Sequence, residues 1–150
     1  MQLLKFVMSG IDYGIPIKDV ESIENRVNIV PVPTAPQHIR GIIRLHGEIV
    51  PVVSLASRFG VESSTIENLV IASVDGMKVG LEVEHVKEIV EVENSNVVPM
   101  PVIMHTGENC FSDVATQQKE LIAMLDVGSL VGLEEREQIR KIIRDNTDEK

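Results

Sequence analysis

Ten residues from Gly14 to Ile23, GIPIKDVESI, recur in outline from Gly80 to Ile89 as GLEVEHVKEI. Both read Gly, apolar, any, apolar, any, any, Val, any, any, Ile, at an offset of 66 from Gly14 to Gly80. The likeness extends along the chain. IVPVP (Ile29 to Pro33) is echoed by VVPMP (Val97 to Pro101), and EIVPVVSL (Glu48 to Leu55) by ELIAMLDV (Glu120 to Val127). Each copy keeps one order: strand, turn, strand, helical turn, Pro-rich segment, loop, final strand. Ordered recurrence points to a duplicated unit rather than to the chance likeness of short apolar strands. It restricts the chain to folds built from two related halves.

Composition says how such halves can be stable. At 150 residues the chain fits one domain, or two very small ones that share a core. Aromatic residues are only 3% and Trp is absent, so Val, Ile, Leu and Met must supply most of the core. Beta-branched residues dominate that set, which favours strands. Each half then holds four or five short strands and few large side chains. Two such units must pack together to bury enough apolar surface.

Local signals sketch the elements. Leu3 to Met8 is a short apolar run, followed by a turn at Ser9-Gly10-Ile11-Asp12. Ile15 and Ile17 alternate with Pro16 as on a strand edge. Ile17, Val20 and Ile23 are then three apart, as are Val86 and Ile89, which suggests a strand end running into a helical turn. IVPVPTAP (29 to 36) cannot be helical, because three prolines withhold donors and hold the backbone extended. Gly41 to Leu55 reads as a hairpin turning near Gly47, and Ser54 and Gly60 cap a short helix over Leu55 to Phe59. Val61 to Asn68 is a polar connector. Leu69 to Val74 and Val79 to Val83 are strands around the strong turn signal Asp75-Gly76. Leu133 to Asp145 forms a helix with an apolar stripe of Ile139, Ile142 and Ile143 and an i to i+4 pair, Glu137 to Lys141. That stripe is expected to dock on its own domain, and the last residues, NTDEK, to be disordered.

The formal net charge of −9 argues against nucleic acid and against an anionic membrane surface, both of which need Lys and Arg. MQLLKFVMSG is no signal peptide, no apolar run approaches a membrane span, and the single Cys110 excludes an internal disulfide. A cytoplasmic protein is expected. Catalytic signatures are missing too. Among His38, His46, His85 and His105 no two have the local spacing of a zinc pair. His46-Gly47-Glu48 matches the H-x-E element of zinc deaminases, but that chemistry needs two Cys ligands. There is no G-x-S-x-G elbow and no G-x-x-x-x-G-K loop, and Cys110 near His105 reads as an incidental thiol. No catalytic residue, metal or cofactor is expected.

Surface remains. Ile17, Val20, Ile23, Val86 and Ile89 stand beside Lys18, Asp19, Glu21, His85, Lys87 and Glu88. Two placements are open for the five: in the core, or along a groove between the units that could accept an apolar stripe on a partner helix.

The ordered set YGIPIKDVESI, IVPVP, GIIRLHGEIVPVVSLASRFG, VGLEVEHVKEIVEV, VVPMP and ELIAMLDVGSLV resembles the CheW family of chemotaxis coupling proteins, over residues 3 to 131. The resemblance implies an all-β fold of two small five-stranded β-barrels packed together around a hydrophobic core, with short helices and a C-terminal helix. It implies one CheW-like domain over 1–131, made of units near 3–60 and 69–131 with possible strand exchange, then a helix and tail over 132–150. It implies a non-catalytic adaptor, cytoplasmic but associated with membrane receptor arrays. The partners would be the regulatory domain of the histidine kinase CheA and the hairpin tips of methyl-accepting chemotaxis receptors. By position, the receptor groove would use Ile17, Val20, Ile23, Val86 and Ile89, with polar contacts from Arg44, His46 and Glu48. The family usually reads N-L-R-G where this chain has Arg44-Leu45-His46-Gly47, and an acid able to pair with that Arg where it has Ser22. An Asp is frequent at the place of Ser54, and a Gly at that of Asp113. The alternative function is a small-ligand or peptide-binding β-barrel protein without kinase contact.

Overall fold

The computed structural model describes residues 1–25, 28–33, 35–62, 65–100, 110–130 and 133–147. Strands β1 (Gln2–Met8) and β2 (Ile11–Pro16) form a hairpin closed by Ser9 and Gly10, at φ 51° and 79°. The same closure recurs at three other turns. His46-Gly47 (49°, 81°) joins β4 (Ile39–Leu45) to β5 (Glu48–Ser54). Asp75-Gly76 (49°, 77°) joins β6 (Asn68–Val74) to β7 (Met77–Val83). Gln118-Lys119 (50°, 68°) joins β10 (Phe111–Gln117) to β11 (Glu120–Leu125). Two successive residues at positive φ are the mark of the two-residue turn whose twist suits antiparallel strands.

The remaining strands are β3 (Val20–Asn25), β8 (His85–Glu91) and the short β9 (Val97–Pro99). They complete two sheets, ordered β8-β1-β2-β11-β10-β9 and β3-β6-β7-β5-β4. Matching β1 through β5 to β6, β7, β8, β10 and β11 turns the second order into the first five strands of the other. The exchange involves a whole hairpin. β1 and β2 lie in the sheet of β8, β10 and β11, while β6 and β7 lie in that of β3, β4 and β5. The joins are parallel: β2 with β11, and β7 with β5.

The fold is mostly β in two packed sheets, as expected, but the sheets have six and five strands and are open rather than closed barrels. The difference in strand number lies in the Pro-rich segments, which carry prolines at the same places in both copies but pair differently. In the first copy Pro31 and Pro33 lack donors, and Val30 alone pairs, through both its N–H and C=O, with Ile42. In the second copy VVP manages three residues of ladder on β10.

Period-two alternation sorts the apolar residues into three clusters. Leu4, Phe6 and Met8 from β1 and Val70, Ala72 and Val74 from β6 share the main cluster between the sheets. Their neighbours face the other way. Leu3 joins Val90, Ile122 and Met124 in one small cluster, and Leu69 and Ile71 join Ile43, Val50 and Val52 in the other. All four aromatic rings, Phe6, Tyr13, Phe59 and Phe111, gather at the main cluster, with centroids 4.9–5.7 Å apart.

Helix α1 (Leu55–Phe59) begins where Ser54 Oγ accepts the Ser57 N–H and ends at Gly60 in the left-handed conformation, as its capping signals require. A second short helix, α2 (Val127–Leu130), has no sequence counterpart in the expectations. Arg58 of α1 donates to the Ser129 and Leu130 carbonyls and ties the two together. Helix α3 (Leu133–Thr147) packs on β5, with Ile139 and Ile142 buried and Ile143 against the main cluster. Glu137 pairs with Arg140 at 3.1 Å, three residues on, and not with Lys141 as the spacing suggested.

Candidate interaction groove

The repeated segment forms an edge strand in both sheets: β3 bounds one and β8 bounds the other. Before β3, Ile17–Asp19 make one 3-10 turn, but Val20 and Ile23 themselves stand on the strand. In the second copy there is no helical turn, and Val86 and Ile89 lie within β8. The helical turn thus appears in the first copy at Ile17–Asp19, whereas for Val20 to Ile23 and Val86 to Ile89 the helical reading is corrected, and the correction has a geometric cause. The β3–β6 register runs Val20 to Ala72, Ser22 to Ile71 and Ile23 to Val70, leaving Glu21 as an extra residue. The β8–β1 register runs Val86 to Phe6, Glu88 to Lys5 and Ile89 to Leu4, leaving Lys87 extra. A β-bulge shifts the alternation by one position. Residues three apart therefore share a face, and in both copies it is the face carrying main-cluster residues: Ala72 and Val70, or Phe6 and Leu4.

Along that face the side chains run from half-buried to open. Ile17, Val20 and Val86 pack at the border of the main cluster. Ile23 is 42% exposed and Ile89 54% exposed, although their cross-strand partners Val70 and Leu4 are buried. An apolar strip thus continues from core to solvent on each edge. The Asn68 side-chain oxygen accepts the Val86 N–H at 3.0 Å and fixes the start of β8. Lys87, the bulged residue, donates to Asp12 at 2.7 Å, and Asp12 also lies 3.7 Å from the buried Lys5. Lys18, Glu21 and Glu88 are exposed beside the strip. Asn68 and Asp12 carry no sequence signal for these roles, since Asn68 reaches β8 from a strand of the other sheet and Asp12 meets Lys87 of the other half.

Arg44, His46 and Glu48 sit elsewhere, at the β4–β5 hairpin, beyond β6 and β7 in the strand order from β3. Arg44 and His46 are exposed, and Glu48 accepts a 2.8 Å bond from Lys78, which raises the Lys78 pKa. Ser22 lies on β3 and Ser54 caps α1.

The other titratable groups are dispersed. His38 Nδ1 meets Ser57 Oγ at 2.8 Å, and His85 Nδ1 meets Glu67 at 2.7 Å. Glu82 is buried, its carboxyl pushed up by desolvation and held partly down by Arg40 at 3.2 Å. Burial likewise pushes up the Cys110 thiol and the Tyr13 phenol. His105 lies outside the described residues. Among the described residues no three His, Cys, Asp or Glu side chains are grouped to hold a metal, and no helix is long and apolar enough to cross a membrane.

Comparison with known proteins identifies the family. The model of the CheW-like domain matches residues 2–135. The chain therefore belongs to the CheW-like family, and its class is that of the chemotaxis coupling adaptors. The chemotaxis protein CheW of Treponema pallidum is 28% identical, over 94% of this chain and 88% of its own. That of Bacillus subtilis is 23% identical, over 89% and 88%. Among solved structures, the scaffolding protein TtCheW of Thermoanaerobacter tengcongensis superposes with a TM-score of 0.83 at 26% identity, covering 89% of this chain and 94% of that one.

Proposed function

We propose that this adaptor binds methyl-accepting chemotaxis receptor tips along the strips of β3 and β8 and links them to the histidine kinase CheA. The observation that carries the reading is the pair of equivalent bulges, which turns Val20 and Ile23, and Val86 and Ile89, onto the inter-sheet face at two open edges. Receptor tips are helical hairpins, and an apolar stripe on a helix is the shape that fills such a strip. Exposed charges beside it form the polar rim typical of a non-obligate interface. Arg44, His46 and Glu48 would serve a separate contact at the β4–β5 hairpin. The protein works without catalysis and in the cytoplasm, at membrane receptor arrays. Residues 1–131 act as one domain of two duplicated units near 3–60 and 69–131, with the helix and tail of 132–150 appended. The matching order of five strands in the two sheets supports that division.

The test is co-sedimentation of CheA with receptor particles, with and without the chain. Recruitment that depends on the chain supports the reading. A chain that binds neither kinase nor receptor, yet captures a peptide or small molecule, would replace it with the ligand-binding alternative.

A further inference from the structure

The two sheets carry the same apolar pair at the same place, but only one pair is covered. In the second sheet the pair is Ile49 and Met77, at the starts of β5 and β7. Helix α3 lies over them: Ile143 and Arg140 line one cleft with Ile49 and Met77, and Met77 is only 9% exposed. Their equivalents in the first sheet are Leu121 and Ile11, at the starts of β11 and β2. The parallel register of Ala123 with Tyr13 puts Leu121 beside Ile11, two residues back on each strand. Period two puts Ile11 on the face of Tyr13 and Ile15, and Leu121 on that of Leu125, all main-cluster residues. Yet Ile11 is 51% exposed and Leu121 68% exposed.

A carboxylate also stands at both turns, although the counterpart of Asp75 in the first sheet is Ser9. Arg136 of α3 binds the Asp75 carboxylate at the β6–β7 turn and the Gly128 carbonyl. At the equivalent β1–β2 turn a carboxylate arrives from another strand junction. Glu84 Oε2 accepts the Ser9 N–H at 3.1 Å, at an exposed position. Among the described residues no Lys or Arg pairs with Glu84, and Glu67 lines the same open cleft.

We propose that Ile11 and Leu121, with Glu84, form a second helix seat, occupied by an amphipathic helix of a partner protein built like α3. The occupant carries an Arg or Lys one turn ahead of an Ile or Leu stripe, in the pattern Arg136, Ile139, Ile143. The basic residue meets Glu84 as Arg136 meets Asp75, and the stripe covers Ile11 and Leu121 as α3 covers Met77 and Ile49. Two features favour this occupant over an acidic one: the carboxylates at the turn, and the net charge of −9 on the chain. The apolar pair of the seat is separate from the strip of β8, since β1 stands between β2 and β8 in the sheet, while Glu84 directly precedes β8.

The probe is a peptide of residues 133–147, LEEREQIRKIIRDNT, held helical by a lactam between its Glu137 and Lys141, which are solvent-facing in the chain. It is titrated into the intact chain labelled at its Ile and Leu methyl groups. The seat requires methyl shifts at Ile11 and Leu121, loss of binding by at least tenfold in Leu121→Lys, and several-fold weakening in Glu84→Gln. Rescue of Glu84→Gln binding by an Arg136→Gln peptide is not expected, and that peptide should bind the wild type weakly. The proposal is overturned by shifts confined to Ile49 and Ile143, meaning that the peptide replaces α3. It is equally overturned by absence of binding at millimolar peptide. A third contrary result is a dimer of the unliganded chain that Leu121→Lys dissociates, meaning that a second copy covers the patch.

Discussion

Gly14 lies directly beneath Leu3: a Cβ added at Gly14 would sit 3.2 Å from Leu3 Cδ1 and 3.0 Å from Ile122 Cγ2. The other sheet repeats the arrangement, with Gly80 beneath Leu69 at 3.2 Å. Each glycine opens the repeated decapeptide, so the recurrent Gly is a packing requirement where a leucine crosses the strand. Gly14→Ala and Gly80→Ala should each cost about 1–3 kcal/mol, the usual penalty for overpacking. Gly14→Ala should be the more costly, because two side chains crowd it. Thermal melts check this, and wild-type melting of both variants would show that the clusters have room.

Gly41 makes a different demand. It stands at φ 154°, and a Cβ there would overlap the Val30 carbonyl. Gly41→Ala should therefore break the Val30–Ile42 bridge as well as lower stability. Hydrogen exchange at the Ile42 and Val30 amides reads the bridge directly: both should lose protection, and retained protection would contradict the geometry.

Helix α3 should be part of the fold's cooperative unit. Ile139 is fully buried in the main cluster, so Ile139→Ala should destabilise by about 2–5 kcal/mol. Glu137→Ala, on the exposed face, should stay within about 0.5 kcal/mol of wild type. Urea titration of both separates a docked helix from an appended one. An early, independent loss of helix in wild type would count against docking.

Glu82 gives the stability a pH dependence of known sign. Burial raises its carboxyl above the ordinary 4.5, with Arg40 partly opposing the shift. The native state then holds the proton more tightly than the unfolded state. The stabilisation it contributes is fully present below the unfolded pKa and is lost as pH rises through the folded one. Glu82→Gln should therefore gain stability relative to wild type as pH is raised from 4 towards neutrality. A Gln variant that becomes relatively less stable over that range would mean that the Arg40 pair outweighs desolvation.

What the sequence disclosed follows from where each signal resides. Asp75-Gly76, and Ser54 with Gly60, act within a few residues of themselves, and the turn and capped helix appear where they point. The three-residue spacing in V-x-x-I was ambiguous, because a helical turn and a bulged strand both place such residues on one face. Only the register of Phe6 with Val86 and Leu4 with Ile89 decides between them. Strand β10 carries little sequence signal for a related reason. FSDVATQ buries only Ala115, and a bulge between Phe111 and Asp113 interrupts its alternation. The same bulge lies in β4 between Ile39 and Gly41. The residues of the β3 and β8 strips were legible as a repeated pattern, whereas Asn68, Asp12 and Glu84 act across strands.

The central claim is that the strips on β3 and β8 are an interface. Ile23 and Ile89 are the residues to change, because they are exposed and the fold does not depend on them, whereas Val86 is half-buried against the core. The measurement is co-sedimentation of wild type, Ile23→Glu, Ile89→Glu and Val86→Glu with receptor particles, beside thermal melts and CheA pull-down of each. Ile23→Glu and Ile89→Glu should melt like wild type, keep CheA, and lose receptor affinity by about 1–3 kcal/mol each, as loss of a central anchor does. Val86→Glu should lose receptor binding and also some stability, since it places a carboxylate at the core border. Folded Ile23→Glu and Ile89→Glu proteins that sediment with receptor particles as wild type does would contradict the assignment of these strips.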